Sequence, residues 1–572
     1  MIRFYQILMI MLLCACDKVS AQLCINADNY SYAPKHEIRA VWLTTLCGLD
    51  WPTTRATDAY SVQVQQQELI NILDAYAAAK INTVFFQTRI RGTVSYPSQY
   101  EAFDFAFTGN YAQSPGYDPL AFAIEECHKR GMECHAWVVT VPSGNTDIIG
   151  KLGNLSTKAK YPYLCKMYDG ICYLDPGHPE TKYYLANICK EIVERYDVDG
   201  IHMDYIRYPD NPTRFPDNDT FAQYGAGQHK SDWRRNNITA IVREIFTTVK
   251  QVKPYVKVSC SPLGKYYDTT GYSSKGWNAW GTVYQDVKRW MIEGIVDMIF
   301  PMMYFRNNDF FPFAYDWLEA SNGRPVVPGI GLYFMEEANW PLEDIKREIN
   351  VMRTQGTGGQ AYFRSQFFTG NTKGIYSWLA GSVYKYNATV PAMTWQDANP
   401  PSPLSAIRGT KTVDAITLEW DNGFDKETGW NVTYNIYANP STYPNVEDAR
   451  NILATRLRYP NFRYPTNADK GACPYFAVTV VDRFGNESQP TFFNPTTKQE
   501  RNTLHNDGSI LQVPVTTKFV GLYISNLAGR HIRKSPYGSQ VDIKDLPKGA
   551  YLLWGVKRTD LHLEKIGIFI KM

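Results

Sequence analysis

The chain has 572 residues, 44% of them hydrophobic and 20% charged, enough apolar matter for a sizeable core, which excludes a disordered chain. Its 59 Lys and Arg against 56 Asp and Glu leave a formal charge of +3, which excludes a dominant nucleic-acid footprint. A mean hydropathy of -0.35 excludes a multi-span membrane protein.

Residues 1–21 have the pattern of an export leader. Arg3 sits near the start, and the apolar run from Ile7 to Leu13 is too short to span a bilayer stably. Two exits fit. Leu13-Cys14-Ala15-Cys16 resembles a bacterial lipobox, which would attach the mature chain to a membrane through a lipidated Cys16; Val19-Ser20-Ala21 before Gln22 fits ordinary signal cleavage. Both place the mature chain outside the cytoplasm, as an outer-membrane lipoprotein, a periplasmic protein or a secreted protein of a Gram-negative bacterium. The 11 cysteines make no disulfide scaffold. Cys14, Cys16 and Cys24 lie at or near the leader. Cys47, Cys127, Cys134, Cys189 and Cys260 fall in or beside predicted elements and are read as buried thiols, while Cys165 and Cys172 flank a short loop and could pair.

From residue 37, strand and helix patterns alternate. The first strand is Glu37–Thr45, followed by a helix over Ser61–Lys80 with Leu69, Ile72, Leu73 and Tyr76 at helical spacing. The second strand is Asn82–Arg89, followed by helix Pro119–Arg130, which Gly131 ends. Strand Glu133–Thr140 precedes helix Pro179–Tyr196, strand Val198–Ile206 precedes helix Ser231–Lys250, and strand Lys257–Leu263 precedes helix Gln285–Gly294. Strand Val296–Tyr304 is followed by a helix near 312–320, strand Val326–Tyr333 by helix Leu342–Gln355, and strand Gly359–Phe367 by helix Thr372–Tyr384. Eight such units predict a closed parallel (β/α)8 barrel over 35–395, and no Gly-rich phosphate turn follows any strand to support an open doubly wound sheet.

Pro400, Pro401 and Pro403 mark a linker. Short alternating strands follow, among them Ala415–Trp420, Thr433–Ala438 and Tyr475–Asp482, and Arg483-Phe484-Gly485-Asn486-Glu487-Ser488 resembles the end of a fibronectin type III module, placed at 400–495. A smaller β unit occupies 497–572. The fold class is therefore α/β: a TIM barrel followed by one or two small all-β sandwich domains.

In a barrel, function gathers where strands end, because the βα loops converge there. The fourth strand, Asp199-Gly200-Ile201-His202-Met203-Asp204-Tyr205-Ile206, puts His202, Asp204 and Ile206 on one face at period two. Asp204 would stand at the mouth, able to attack or stabilise an oxocarbenium-like centre, with His202 below it as a hydrogen-bonded support. The second strand offers Gln87 and Arg89 to bind hydroxyls or hold a carboxylate, and Glu101 in the loop above is a candidate general acid. Asp50 is another mouth carboxylate. Trp42 and Trp51 either stack on a sugar or pack in the core. Tyr304 ends the sixth strand, where its hydroxyl either bonds a developing charge or is a satisfied wall group. Glu336, Glu337 and Gln366 are weaker candidates. The carboxylate separation that decides retention (~5 Å) or inversion (~6.5–9.5 Å) is a property of the fold, not of spacing.

Five ordered motifs resemble the glycosyl-hydrolase-like family 10 proteins: EIRAVWLTTLCGLDWP at 37–52, FFQTRIRGTVSYPSQYEAF at 85–103, DGIHMDYIRYP at 199–209, VSCSPLG at 258–264 and VDMIFPMMYF at 296–305. The likeness implies a glycan-cleaving barrel; one branch of that family acts on peptidoglycan strands lacking stem peptides. The family's second loop usually carries Glu-Pro-Trp-Ser, of which Glu101 is kept while Ala102-Phe103-Asp104 replace the rest; its sixth strand usually carries Pro-Gln-x-Tyr, where Pro301-Met302-Met303-Tyr304 stands here. The expectation is an exported glycoside hydrolase acting on a polysaccharide or on peptidoglycan glycan strands. Asp204 is expected as nucleophile or base and Glu101 or Asp50 as its acid partner. Trp42, Gln87, Arg89, His202, Tyr208 and Tyr304 would position the substrate, and no metal or organic cofactor is needed. The rival reading is a non-catalytic glycan-binding protein on a degenerate barrel. A third reading, a carbohydrate esterase, is disfavoured because the sequence shows no convincing Ser-His-Asp set or metal triad.

Overall fold

The computed structural model describes residues 33–495, 504, 506, 508–513 and 518–571. The leader, with Cys14, Cys16 and Cys24, lies outside the described residues. The chain forms two compact units, one running to Asn494 and one from Pro495 onward.

The first unit is built on a parallel sheet of eight strands: β1 (Ile38–Leu43), β2 (Thr83–Arg89), β3 (Glu133–Val139), β4 (Gly200–Asp204), β5 (Lys257–Cys260), β6 (Met298–Ile299), β7 (Gly329–Gly331) and β8 (Gly359–Phe363). Their order is β6-β5-β4-β3-β2-β1-β8-β7. The expectation of one closed ladder is corrected here, because regular pairing stops between β6 and β7. That seam holds only isolated bridges, Ile299 to Val326 and Met302 to Gly329. Its residues include Pro301, Pro325 and Pro328, which have no N–H to donate, so the ladder is broken at every proline and β6 and β7 are far shorter than their apolar runs. The remaining donors still cross: Ile299 N–H reaches Pro325 O at 3.1 Å and Gly329 N–H reaches Pro301 O at 2.8 Å.

Helices follow the strands: α1 (Ala59–Ala78), α2 (Pro119–Lys129), α3 (Thr181–Arg195), α4 (Lys230–Val252), α5 (Val287–Ile292), α6 (Phe311–Glu319), α7 (Leu342–Thr354) and α8 (Ile375–Trp378). Asp58 starts α1 with a capping box to Ser61, and Asp118 caps α2 ahead of Pro119. The helix expected over Thr372–Tyr384 breaks into short pieces, because Asn371, Lys373 and Gly374 all sit at positive φ (54°, 49° and 86°).

Period-two alternation divides the core. Outward residues such as Val41, Phe86, Ala136, Ile201 and Met203 pack beneath the helices, each contributing up to about 1.5–3 kcal/mol on full burial. Inward residues Ala40, Trp42, Phe85, Trp137, Met298 and Phe300 form a separate interior cluster. Cys127, Cys134, Cys189 and Cys260 are buried thiols, whereas Cys47 is exposed, because the chain leaves β1 there in a turn at φ 55°. Cys165 and Cys172 are thiols on adjacent strands of a hairpin above the barrel.

Within the same unit, seven antiparallel strands form sheets of three and four that share one core, with Ile416, Leu418 and Trp420 facing Ile436, Phe476 and Val478. This sandwich rests on the N-terminal ends of the barrel strands. Arg456 pairs with Glu133 at the start of β3 and with Asp199 just before β4, while Arg483 pairs with Asp197 at 2.8 Å. The backbone of Thr455 comes so close to Gly131 that a Cβ there would lie 2.4 Å from its carbonyl, so the glycine that ends α2 also admits the sandwich. The second unit is a four-stranded antiparallel sheet, Phe519–Asn526 and Gly549–Lys557 at its centre, with a two-stranded ladder and a core of Leu511, Leu522, Ile524, Leu553 and Phe569. Among the described residues, no helix is long and apolar enough to cross a membrane.

Candidate active site

Asp204 is the last residue of β4, facing inward at the mouth and only 6% exposed. The next residue, Tyr205, takes φ 49°, a left-handed conformation that is costly for a bulky side chain and typical of functional turns. That turn aims the Tyr205 N–H at Asp204 Oδ1 (2.8 Å) and throws Ile206 into the outer core. Ile206 therefore does not share the inward face with His202 and Asp204, as strict alternation predicts. Ser261 Oγ donates to the same Asp204 oxygen at 2.9 Å, and Trp137 Nε1 donates to Oδ2 at 3.0 Å. All three are neutral donors, and Asp204 makes no ion pair among the described residues. Burial raises its pKa, and those donors together with the Arg207 charge only partly offset that.

The other two candidate carboxylates are held differently. Glu101 is buried and takes both Nε (2.8 Å) and Nη2 (2.7 Å) of Arg89, a bidentate pair, plus the Tyr184 hydroxyl at 3.0 Å. Arg89 spends its remaining donors on the carbonyls of Val139 and, at 2.7 Å, Thr140. The pair fastens the loops after β2 and β3 together, so Arg89 is not open to substrate and both Glu101 oxygens are engaged by protein donors. Asp50 accepts from Thr44 N at 2.9 Å, from Gln366 N at 2.9 Å and from the Arg364 guanidinium, which ties the loop after β1 to the end of β8. Burial pushes its pKa up in spite of Arg364. Gln87 is likewise a staple. Its Oε1 accepts from Thr44 Oγ1 (2.6 Å) and from the N–H groups of Thr45 and Leu46 (both 2.9 Å).

His202 lies one layer below Asp204, stacked on Phe85 with ring centroids 4.1 Å apart. Trp42 Nε1 points at His202 Nε2 at 3.1 Å, and an indole N–H only donates, so Nε2 carries the lone pair. The proton is then on Nδ1, donated to Ser259 Oγ at 2.9 Å. Burial, with His135 nearby, holds the His202 pKa well below the ordinary imidazole value, so the ring is neutral. Trp42 is packed among Phe85, Phe300 and Phe363 in the interior and is corrected from sugar platform to core residue. Trp51 is fully buried too. Tyr208 is a second correction. It is fully buried in the outer core against Phe215 and Tyr284, because the turn at Tyr205 carries the chain away from the mouth.

Tyr304 does reach the mouth, half-buried with Tyr333 and Phe363 as ring neighbours. Burial and the Asp204 charge push its pKa well up, so its hydroxyl stays protonated as a donor. Tyr205 and Tyr333 lie beside Tyr304. Trp137 and Ser261, the direct partners of Asp204, are site residues that sequence reasoning misses, although alternation along Glu133–Val139 places Trp137 inward at the strand end. Glu336 bonds Thr372 and stays outside this group. Among the described residues, no cluster of three His, Cys, Asp or Glu is placed to hold a metal ion.

The sequence matches the profile described as Glycosyl hydrolase-like 10 over residues 37–336. Glycosyl hydrolase YngK of Bacillus subtilis (strain 168) is 32% identical over 481 residues, covering 79% of this chain and 92% of that protein. Glycosyl hydrolase DigH of Escherichia coli (strain K12) is 33% identical over 320 residues, 52% of this chain and 73% of DigH. The glycoside hydrolase domain of PgaB (BpsB) from Bordetella bronchiseptica is a distant likeness, with a TM-score of 0.43 at 12% identity over 60% of this chain and 98% of that one. On the length and level of the sequence matches, the chain belongs to the glycosyl hydrolase-like 10 family and is an enzyme of the glycoside hydrolase class.

Proposed function

We propose that the enzyme hydrolyses O-glycosidic bonds of an extracytoplasmic polysaccharide, peptidoglycan glycan strands included, with Asp204 as the group that moves the proton. The observation that carries this reading is the contrast among the three mouth carboxylates: Glu101 and Asp50 are bound by arginines, while Asp204 is oriented by neutral donors alone. A carboxyl whose pKa burial has raised holds a proton closer to neutral pH and can give it to a departing sugar oxygen. It can then take a proton back from the water whose oxygen bonds to the anomeric carbon that the departing sugar has left. Tyr304, kept protonated, is placed to steady charge that develops beside Asp204. The leader-like residues 1–21 support action outside the cytoplasm, where such polymers lie.

The test is purified full-length protein on a glycan panel, scored by new reducing ends and by mass spectrometry of products. Asp204→Asn should lower kcat by about 10²–10⁴ while the melting temperature holds. Unchanged turnover would remove Asp204 from the mechanism. Tight binding with no new reducing ends from any polymer would favour the glycan-binding reading instead.

A further inference from the structure

The turn Arg458-Tyr459-Pro460 joins the strands Ile452–Leu457 and Asn461–Pro465, which lie at the edges of different sheets of the sandwich. Both sides of the turn are fixed. The Pro460 carbonyl accepts from the Trp420 N–H at 3.1 Å, and Arg458 pairs at 2.8 Å with Asp197, just ahead of β4. Between these anchors the Tyr459 ring is 75% exposed. It lines a cleft of about 670 Å³ between the sandwich and the floor of the barrel, the end away from Asp204. Helix α2 supplies the facing wall: Ala121, Ile124, Glu125 and His128 recur at spacings of three and four and so share one face. Each cation that lines the cleft is answered by a carboxylate of the protein. Lys129 pairs with Glu125 at 2.8 Å and Glu126 at 2.7 Å, Arg195 with Glu191 at 3.6 Å, Arg458 with Asp197, and His128 with Asp199 at 2.7 Å. A cleft of this size at the junction of two modules, part apolar and part aromatic with a few polar groups, has the character of a ligand site. With its charges matched, it suits a ligand that is uncharged yet rich in hydrogen-bonding groups. A sugar ring meets both demands. One C–H face lies against a tyrosine ring, and the hydroxyls around its rim both donate and accept, as Glu125, Arg458 and the Asn461 amide require. An added peptide strand fits less well, because Arg456 at φ 56° interrupts the row of N–H and C=O groups that strand addition uses.

We propose that this cleft is a second saccharide-binding site, separate from the mouth, that takes a neutral glycan chain with one ring stacked on Tyr459. The inference does not depend on which residue reacts at the mouth. A site on the floor would hold one stretch of a polymer while another stretch, or another chain, enters the barrel at the opposite end. The backbone that carries Tyr459 is already held from both sides, so little order is lost when a ring settles on it.

The experiment is hydrogen-exchange mass spectrometry on the full-length Asp204→Asn protein, so that probes are not consumed through the mouth. The probes are β-1,4-linked tetrasaccharides of glucose, mannose and N-acetylglucosamine, with tetragalacturonate and an unstructured peptide alongside. At least one neutral tetrasaccharide should slow exchange across residues 457–461 and the facing turns of α2. Adding Tyr459→Ala should weaken that binding by about tenfold, read from the concentration dependence of protection, whereas Tyr459→Phe should retain it. The ring is exposed, so both variants should melt with the parent. Protection by no probe, protection confined to the loops at the mouth, protection by the uronate or the peptide alone, or protection that survives Tyr459→Ala overturns the site. The hydrolase reading is judged separately, by new reducing ends from the parent enzyme. None of those outcomes touches it, and a parent that cuts nothing leaves this test unchanged.

Discussion

Replacing Arg456 with Met should loosen the whole first unit, although Arg456 belongs to the sandwich and stands at the end of the barrel away from the mouth. Its guanidinium touches two carboxylates that are 2% and 3% exposed, Glu133 and Asp199. Burial alone would push the Glu133 pKa up, yet Lys257 (2.7 Å) and Arg456 (3.1 Å), with His135, outweigh it and hold it down at about 2. A depression from 4.5 to about 2 favours the folded state by about 3 kcal/mol at neutral pH. Lys257 keeps part of that when Arg456 is gone. Asp199 retains His128 (2.7 Å), the Cys134 N–H (2.8 Å) and Arg483 (3.8 Å). The net cost is then about 2–4 kcal/mol, near the range for breaking a buried ion pair. For a unit of about 460 residues, at ~2.1 cal/mol/K per residue, that lowers Tm by about 2–4 °C. Scanning calorimetry at several pH values checks the sign as well. A depressed carboxylate gives stability that is present above the unfolded pKa near 4.5 and is lost as pH falls through about 2. The gap between parent and variant should therefore narrow across that window. Making the same change in a Glu133→Gln background should cost at least about 1 kcal/mol less. A variant that melts within about 1 °C of the parent at pH 7, or a cost that Glu133→Gln does not reduce, would refute the idea that the sandwich clamps the barrel floor.

Three further outcomes follow from the site. Arg89→Met strands Glu101 as a buried, unpaired carboxylate and should cost about 3–5 kcal/mol, whereas Glu101→Gln, if it folds, should keep turnover within about tenfold; a thousandfold loss at native Tm would return Glu101 to the chemistry. Trp137→Phe removes a donor that favours the ionised form of Asp204, so the limb on which activity falls as pH rises should move up; an unmoved limb would mean that Asp204 does not set it. Nitrogen NMR of His202 should show the Nδ1–H tautomer and a neutral ring at neutral pH, and a ring that titrates near the ordinary imidazole value of 6.5 would contradict its placement.

Much of the barrel was legible because its physics is local. Alternation along a strand decides which side chains face the helices, and α1 and α2 carry their own caps and stops. Two features depend on something less visible. The seam between β6 and β7 follows from prolines on segments that become neighbours only in the folded chain, so apolar runs overstate both strands. The exit from β4 depends on one backbone angle at Tyr205, and that angle sends Ile206 and Tyr208 outward where alternation would have kept them in. Nothing about the letters Tyr-Ile-Arg-Tyr announces a left-handed turn.

The same distinction explains why three carboxylates looked alike in the sequence and do not in the fold. A carboxylate's chemistry is set by what faces its oxygens, and those partners can be anywhere in the chain. Arg89 is 12 residues from Glu101, but Arg364 is 314 residues from Asp50, and Trp137 and Ser261 are 67 and 57 residues from Asp204. An arginine held against a carboxylate on neighbouring loops engages the oxygens that substrate would need, which makes the acid a fastener. Neutral N–H and O–H donors orient a carboxyl without committing it to one charge, which leaves it able to exchange a proton as a glycosidic bond breaks. On that criterion Asp204 is set apart by its partners.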